Sequence, residues 1–365
     1  MIKFPPFTTI ISFPALLILG LTPGFAAEKE AAADAVNGEL PLPAQEVKPL
    51  EAANVPTVKL LTIGNSLADD TTAYIEAMAK AAGKKVVVFR ANLGGHSMEQ
   101  HVKYLTAFEK DPNDAFGHAY KKRKDPKTGE LKDFSLAEAL DAEAWDYVTI
   151  QQVTQLSFKF ESFEPYAGTL VSYTHKHAPT AKVLVLQTWA YRPDNTSLKT
   201  WKIDSETMYQ GLKSAYDQLA AAYSLGIIPC GDAFHTASAL PQWNTIVPDP
   251  NFDFANPAVD ALPVESQSLQ RGWFWRVDKK TGKKTFQLDA KHGTKDGRYL
   301  ANCVLYNSIF HEDPPASSVY CPDGVKPADA DILREVAIKT VKATGPTPAA
   351  VTPAAQVKSD AVPAK

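Results

Sequence analysis

The chain has 365 residues, 45% hydrophobic and 22% charged, with 19 glycines, 27 prolines and three cysteines, which argues against collagen, coiled-coil and wholly disordered chains. Its 38 basic and 41 acidic residues give a formal charge of −3, with no basic footprint for nucleic acid. Three cysteines without a CxxC pair form neither a disulfide scaffold nor a zinc ribbon.

Residues 1–26 read as a secretory leader, with Lys3, an apolar stretch from Ile10 to Leu21, and Gly24-Phe25-Ala26 as the cleavage site. The protein is therefore expected to be secreted or periplasmic. Residues 27–56 are rich in Ala, Glu and Pro and read as a flexible linker, and 343–365 as a Pro/Ala-rich disordered tail. A single folded domain is expected over 57–342. No later segment has the roughly 18 uninterrupted apolar residues of a membrane span, so none is expected.

Within the domain, Val58–Gly64 is an apolar run ending in glycine, the pattern of a buried parallel strand. Helical spacing follows from Thr71 to Ala82, stopped by Gly83. The alternation continues with a strand at Lys85–Ala91, a helix at Ser97–Glu109, strands at Asp146–Gln151 and Lys182–Gln187, a helix at Ser205–Tyr223, a strand at Gly226–Cys230 and a helix at Asp296–Phe310. Two stretches interrupt it, about 120–134 and 240–286, each with an Asp-x-x-x-Gly turn, and both read as exposed hairpin insertions. This order predicts a three-layer α/β/α sandwich around a flavodoxin-like parallel sheet of about five strands. In such sheets ligands bind beyond the carboxyl ends of the strands, so the informative residues follow each strand.

After the first strand comes Gly64-Asn65-Ser66-Leu67, which sets a hydroxyl at that edge; a helix cap and a nucleophile are the two readings. After the second comes Asn92-Leu93-Gly94-Gly95-His96, whose glycines let the backbone approach a ligand. Asp289-Ala290-Lys291-His292 precedes the last helix, a spacing that lets a carboxylate reach one ring nitrogen and leaves the other to take a proton.

In this order the three blocks resemble the SGNH/GDSL hydrolase superfamily, over most of residues 57–312, and most closely a divergent branch with a glutamine-rich third block. The resemblance implies a serine esterase with Ser66 as nucleophile, His292 as base and Asp289 as its partner, and an oxyanion hole from Ser66, Gly95 and a third-block amide. Two departures stand out: Asn65 replaces the usual aspartate, and the third block, Trp145 to Gln155, lacks the family's Gly-x-Asn-Asp. Gln155 falls at the asparagine position by counting, with Gln151 and Gln152 as alternatives.

The substrate is expected to be a small-molecule or polysaccharide ester, with O-acetyl groups on a carbohydrate as the leading case. Trp189, Tyr191 and Arg192, after the fourth strand, and His96 are the candidate substrate-binding residues. A lipase or thioesterase, or a non-catalytic carbohydrate-binding module of the same fold, are the alternatives. No metal or cofactor is required; His175 and His177 do not face one another on a helix and lack a carboxylate in register. A monomer is expected, with Cys303 and Cys321 as a candidate disulfide and Asn195 in a glycosylation sequon.

Overall fold

In the computed structural model, residues 55–244, 249–265 and 267–345 are described. The leader, the linker as far as residue 54 and the tail beyond residue 345 lie outside them. The chain runs β1 (Thr57–Gly64), α1 (Ser66–Thr71), α2 (Ile75–Ala81), β2 (Lys85–Asn92), α3 (Met98–Lys110), β3 (Tyr120–Lys124), β4 (Leu131–Phe134), α4 (Leu136–Asp141) and β5 (Tyr147–Ile150). It continues through α5 (Tyr166–His177), β6 (Lys182–Leu186), α6 (Thr196–Trp201), α7 (Ser205–Tyr223), β7 (Gly226–Ile228) and α8 (Cys230–Ser238), and closes with β8 (Trp273–Val277), β9 (Lys284–Leu288), α9 (Lys295–Phe310) and α10 (Pro327–Thr344).

Five strands form a parallel sheet in the order β2-β1-β5-β6-β7. Counting its own strands alone, that is 2-1-3-4-5, the flavodoxin-like order, whose crevice lies where the winding reverses, beyond β1 and β5. The alternation of side chains along each strand feeds two cores. Leu60, Tyr147, Leu184 and Ile228 pack with Met78, Phe234, Leu300 and Leu333 on one face. Leu61, Ile63, Val148 and Val185 pack with Leu105, Leu140, Leu170 and Leu212 on the other. Each such side chain, fully buried, contributes about 1.5–3 kcal/mol, so the strands behind the crevice form a stiff floor.

Several expectations are corrected. The helix expected over 71–82 is broken: α1 ends at Thr71 and α2 begins at Ile75. The hydroxyls of Thr71 and Thr72 bond back to the carbonyls of Leu67 and Ala68, and Asn302 Oδ1 accepts the Tyr74 N–H at the break. The strand expected to reach Cys230 stops at Ile228; Cys230 opens α8 after Pro229. Helix α10 extends the domain to Thr344, past the expected boundary at 342.

Both insertions contain hairpins. The first, β3/β4, is anchored by buried Tyr120 and Phe134, which pair across its base. In the second, β8/β9 is confined to 273–288; Trp273 stacks on Phe286 at 4.6 Å, with Phe252 and Phe254 against them. This hairpin ends one residue before Asp289, so it continues directly into the Asp-x-x-His turn. The three cysteines are free: Cys303 lies buried beside Tyr299, and the Cys321 thiol donates to the carbonyl of Val325. Asn195 is no free sequon, because its side chain is buried and caps α6 by accepting from Ser197 N–H. No helix among the described residues is long and apolar enough to cross a membrane.

Candidate active site

The crevice beyond β1 and β5 holds Ser66. Strand β1 ends at Gly64, where an added Cβ would come to 3.0 Å from both Ala68 Cβ and Gln151 Oε1 and crowd the space beneath the turn. Asn65 then caps α1, its Oδ1 accepting the Leu67 N–H. Its Nδ2 donates to the carbonyls of His96 (3.3 Å) and Gln152 (3.5 Å), tying the first block to the second and third. An aspartate here would set a third oxygen against those two carbonyls, which accounts for asparagine at this position. Buried His101 donates from Nε2 to the Gly64 carbonyl at 2.9 Å and accepts at Nδ1 from Tyr120. Burial pulls its pKa down to about 4, so it stays neutral.

Ser66 Oγ lies 2.8 Å from His292 Nε2, and His292 Nδ1 lies 2.9 and 3.0 Å from the two oxygens of Asp289. Asp289 Oδ1 also accepts the backbone N–H groups of His292 (2.9 Å) and Lys291 (3.2 Å). Burial raises the Asp289 pKa, but these bonds and the neighbouring imidazole outweigh it and hold the carboxyl at about 2. An ionised Asp289 accepts Nδ1–H, so Nε2 is the acceptor for the Ser66 hydroxyl.

The turn carrying Asp289 and His292 is fixed on every side. Ala290 adopts φ 53°, uncommon for a residue with a side chain, and its carbonyl accepts from Arg192 N–H. Trp189 Nε1 donates to the Lys291 carbonyl at 2.7 Å, and Arg271 N–H to the His292 carbonyl at 2.8 Å. From α1, Asp70 accepts the Gly293 N–H at 2.8 Å and pairs with Arg298 at 2.8 Å. Asp70 thus links the helix that carries Ser66 to the turn that carries His292. Burial raises its pKa, and Arg298 and the Gly293 bond oppose the rise. Nothing in its local sequence singles Asp70 out; only the fold brings residue 70 to residue 293.

A cleft of about 320 Å³ opens over this array, lined by Ser66, Gly95, Thr154, Gln155, Tyr191 and His292 among others. Gly95 holds φ 74° with open space where a Cβ would stand, so conformation rather than room demands glycine. Of the three glutamines, Gln152 accepts from Met98 and Val153 N–H and donates to Ser162, and Gln151 Oε1 accepts from Asn65 N–H below the turn. Gln155 is exposed and lines the cleft.

The four substrate-binding candidates separate. Tyr191 lines the cleft; burial, then the charge of Asp289, pushes its phenol up to about 12. Trp189 is a correction: it is 0% exposed, stacked on Phe234 at 4.2 Å, and supports the Asp289–His292 turn from within the core. Arg192 is a second: it is 1% exposed and its guanidinium is taken by Asp194 and Glu265. His96 is a third: its ring bonds to the Gly94 carbonyl and to Tyr104, outside the cleft lining. A larger hollow of about 400 Å³ includes Ser205 and His235, but Ser205 donates to the Tyr191 carbonyl and His235 pairs with Glu206, so no nucleophile meets a base there.

Residues 59–240 match a family model described as a domain of unknown function, DUF4886. A solved DUF4886 family protein from Bacteroides uniformis ATCC 8492 is similar at 22% identity, with a TM-score of 0.57 over 78% of this chain and 94% of that one. The two share one fold. A candidate SGNH hydrolase from Slackia heliotrinireducens shows 19% identity and a TM-score of 0.42, over 68% of this chain and 97% of that one. The acetylxylan esterase Axe2 from Geobacillus stearothermophilus shows 13% identity and a TM-score of 0.33, over 51% and 82%. No curated protein matches the sequence.

Proposed function

We propose that the protein is a serine esterase that hydrolyses ester bonds through an acyl-enzyme. The observation that carries this reading is the unbroken chain from Ser66 Oγ through His292 to Asp289, 2.8 Å and 2.9 Å, opening into a cleft. Ser66 Oγ attacks the ester carbonyl carbon as its proton passes to His292 Nε2. The resulting oxyanion is received by the N–H groups of Ser66 and Gly95 and the Gln155 amide. Collapse expels the alcohol, which takes the proton from Nε2. Water then attacks the acyl carbon, gives its proton to Nε2, and Ser66 recovers it as the acid departs. Asp289 keeps the imidazole in one tautomer and stabilises its cation throughout.

A cleft of about 320 Å³ supports a short acyl group, with O-acetyl groups on a carbohydrate as the leading substrate. The leader-like residues 1–26 support export from the cytoplasm. The test is labelling with a fluorophosphonate probe and mapping of the adduct, together with hydrolysis of p-nitrophenyl acetate. Ser66 is expected to carry the label, and Ser66→Ala to lose both label and turnover while keeping its circular dichroism. Turnover retained in Ser66→Ala would overturn the assignment.

A further inference from the structure

The cleft lining contains one side chain of fixed charge, Lys291, and no carboxylate. Lys291 is partly buried, yet among the described residues its ammonium has no ion-pair partner; its contact is the face of Tyr191, with Nζ 5.7 Å from the ring centroid. Three other partly buried lysines are paired, Lys59 with Glu143, Lys84 with Glu312 and Lys213 with Asp217 and Asp232, whereas Lys182, among the described residues, has no ion pair. A second cation, Arg271, stands 3.7 Å from the outer oxygen of Asp289 and is itself half exposed. The Tyr191 ring holds the ammonium stem in place but spends none of its three N–H donors. An ammonium withdrawn from water without a counter-ion is costly unless the missing anion arrives with the ligand.

Lys291 adjoins His292, and His292 Nε2 must hand its proton to the departing alcohol, whereas Gly95 and Gln155 belong to the carbonyl oxygen. We propose that Lys291 recognises an anionic group on the alcohol half of the substrate, so that the ester is an O-acylated acidic sugar. This inference rests on the serine-esterase reading above. It assigns specificity to a residue inside the Asp-x-x-His block that the triad does not use.

The test compares three O-acetylated methyl glycosides: the glucuronate, its methyl ester, which keeps the shape and removes the charge, and the glucoside bearing a 6-sulfate. The wild type is expected to favour the glucuronate over its methyl ester by on the order of tenfold in kcat/KM, as befits a hydrogen bond between charged groups. That preference should shrink with added salt. Lys291→Gln should bring the ratio of the two kcat/KM values to near one, and Lys291→Arg should retain it. A stronger preference for the 6-sulfate keeps the anion site and assigns it to sulfated sugars. Equal kcat/KM on the glucuronate and its methyl ester in the wild type, or a preference that survives in Lys291→Gln, overturns the inference alone. Absence of turnover on all three, with Ser66 unlabelled, overturns the esterase reading itself.

Discussion

Replacing Asp289 by asparagine separates the two jobs that this carboxylate performs. One oxygen of Asp289 accepts the backbone N–H groups of Lys291 and His292, and an asparagine Oδ1 can accept both in the same way, so the turn keeps its shape. What changes is the group facing His292 Nδ1, 2.9–3.0 Å away. An amide nitrogen in the place of Oδ2 donates toward Nδ1 from 3.0 Å, which favours an accepting Nδ1 and a proton on Nε2, against the Ser66 hydroxyl. The base is then in the wrong tautomer. The same substitution logic in a Ser-His-Asp triad costs about 10⁴-fold in kcat, roughly 5.4 kcal/mol of barrier. Asp289 does not line the cleft, so KM should move little.

The assay is kcat and KM on p-nitrophenyl acetate with the wild type and Asp289→Asn, alongside the rate of fluorophosphonate labelling, which should fall in parallel. The pH dependence follows from the depressed carboxyl. With a folded value of about 2 against an unfolded 3.8, Asp289 contributes stability that is present above about pH 4 and lost as the pH falls through about 2. Asp289 is therefore ionised at any working pH. An Asp289→Asn enzyme with unchanged circular dichroism and kcat within tenfold of the wild type would refute the tautomer argument.

Asp70→Ala should lower both stability and kcat: it strands the Gly293 N–H and the Arg298 guanidinium, and an unpaired buried donor alone costs about 1–3 kcal/mol. Asp70→Asn, which can still accept from Gly293, should recover most of the kcat and part of the melting temperature; a kcat equal to wild type in Asp70→Ala would show that the link between α1 and the base turn is dispensable. Gly95→Ala meets no steric obstacle but must hold φ 74°, which costs about 1–2 kcal/mol, so the backbone should relax and re-aim its N–H. Single-turnover acylation should fall by about 10²-fold, as for loss of one oxyanion donor, and an unchanged acylation rate would remove Gly95 from that role.

The parallel sheet was legible because a buried strand between helices needs a near-continuous apolar run, and Val58–Gly64, Lys85–Ala91 and Lys182–Gln187 each supply one ahead of a turn. The same edge rule led to Ser66 and Gly95, while Asp289 and His292 were legible from the Asp-x-x-His spacing ahead of the last helix. The two helical turns after Ser66 misled for a physical reason. Residues 71–82 are periodic enough for one helix, but the threonine hydroxyls and Asn302, a partner 228 residues from Tyr74, resolve the segment into two. Trp189 and Arg192 misled differently. An indole and a guanidinium after a strand suit a sugar, yet whether they face the cleft or the core depends on Phe234, Glu265 and the 289–293 turn, which are remote in sequence.

That remoteness changes what the motif after β6 does. Trp189 and the backbone of Arg192 do not touch the cleft, but they donate to the carbonyls of Lys291 and Ala290, and Arg271 donates to that of His292. Three consecutive carbonyls of the turn are therefore held by three separate donors, while Asp289 and Asp70 accept the N–H groups of Lys291, His292 and Gly293. With both edges of the backbone committed, Ala290 is kept at its positive φ and the imidazole at 2.8 Å from Ser66 without a disulfide or a metal to brace it. Trp189 and Arg192, which look like substrate ligands in the sequence, instead hold His292 in reach of Ser66, and the side chain left unspent in that turn is Lys291.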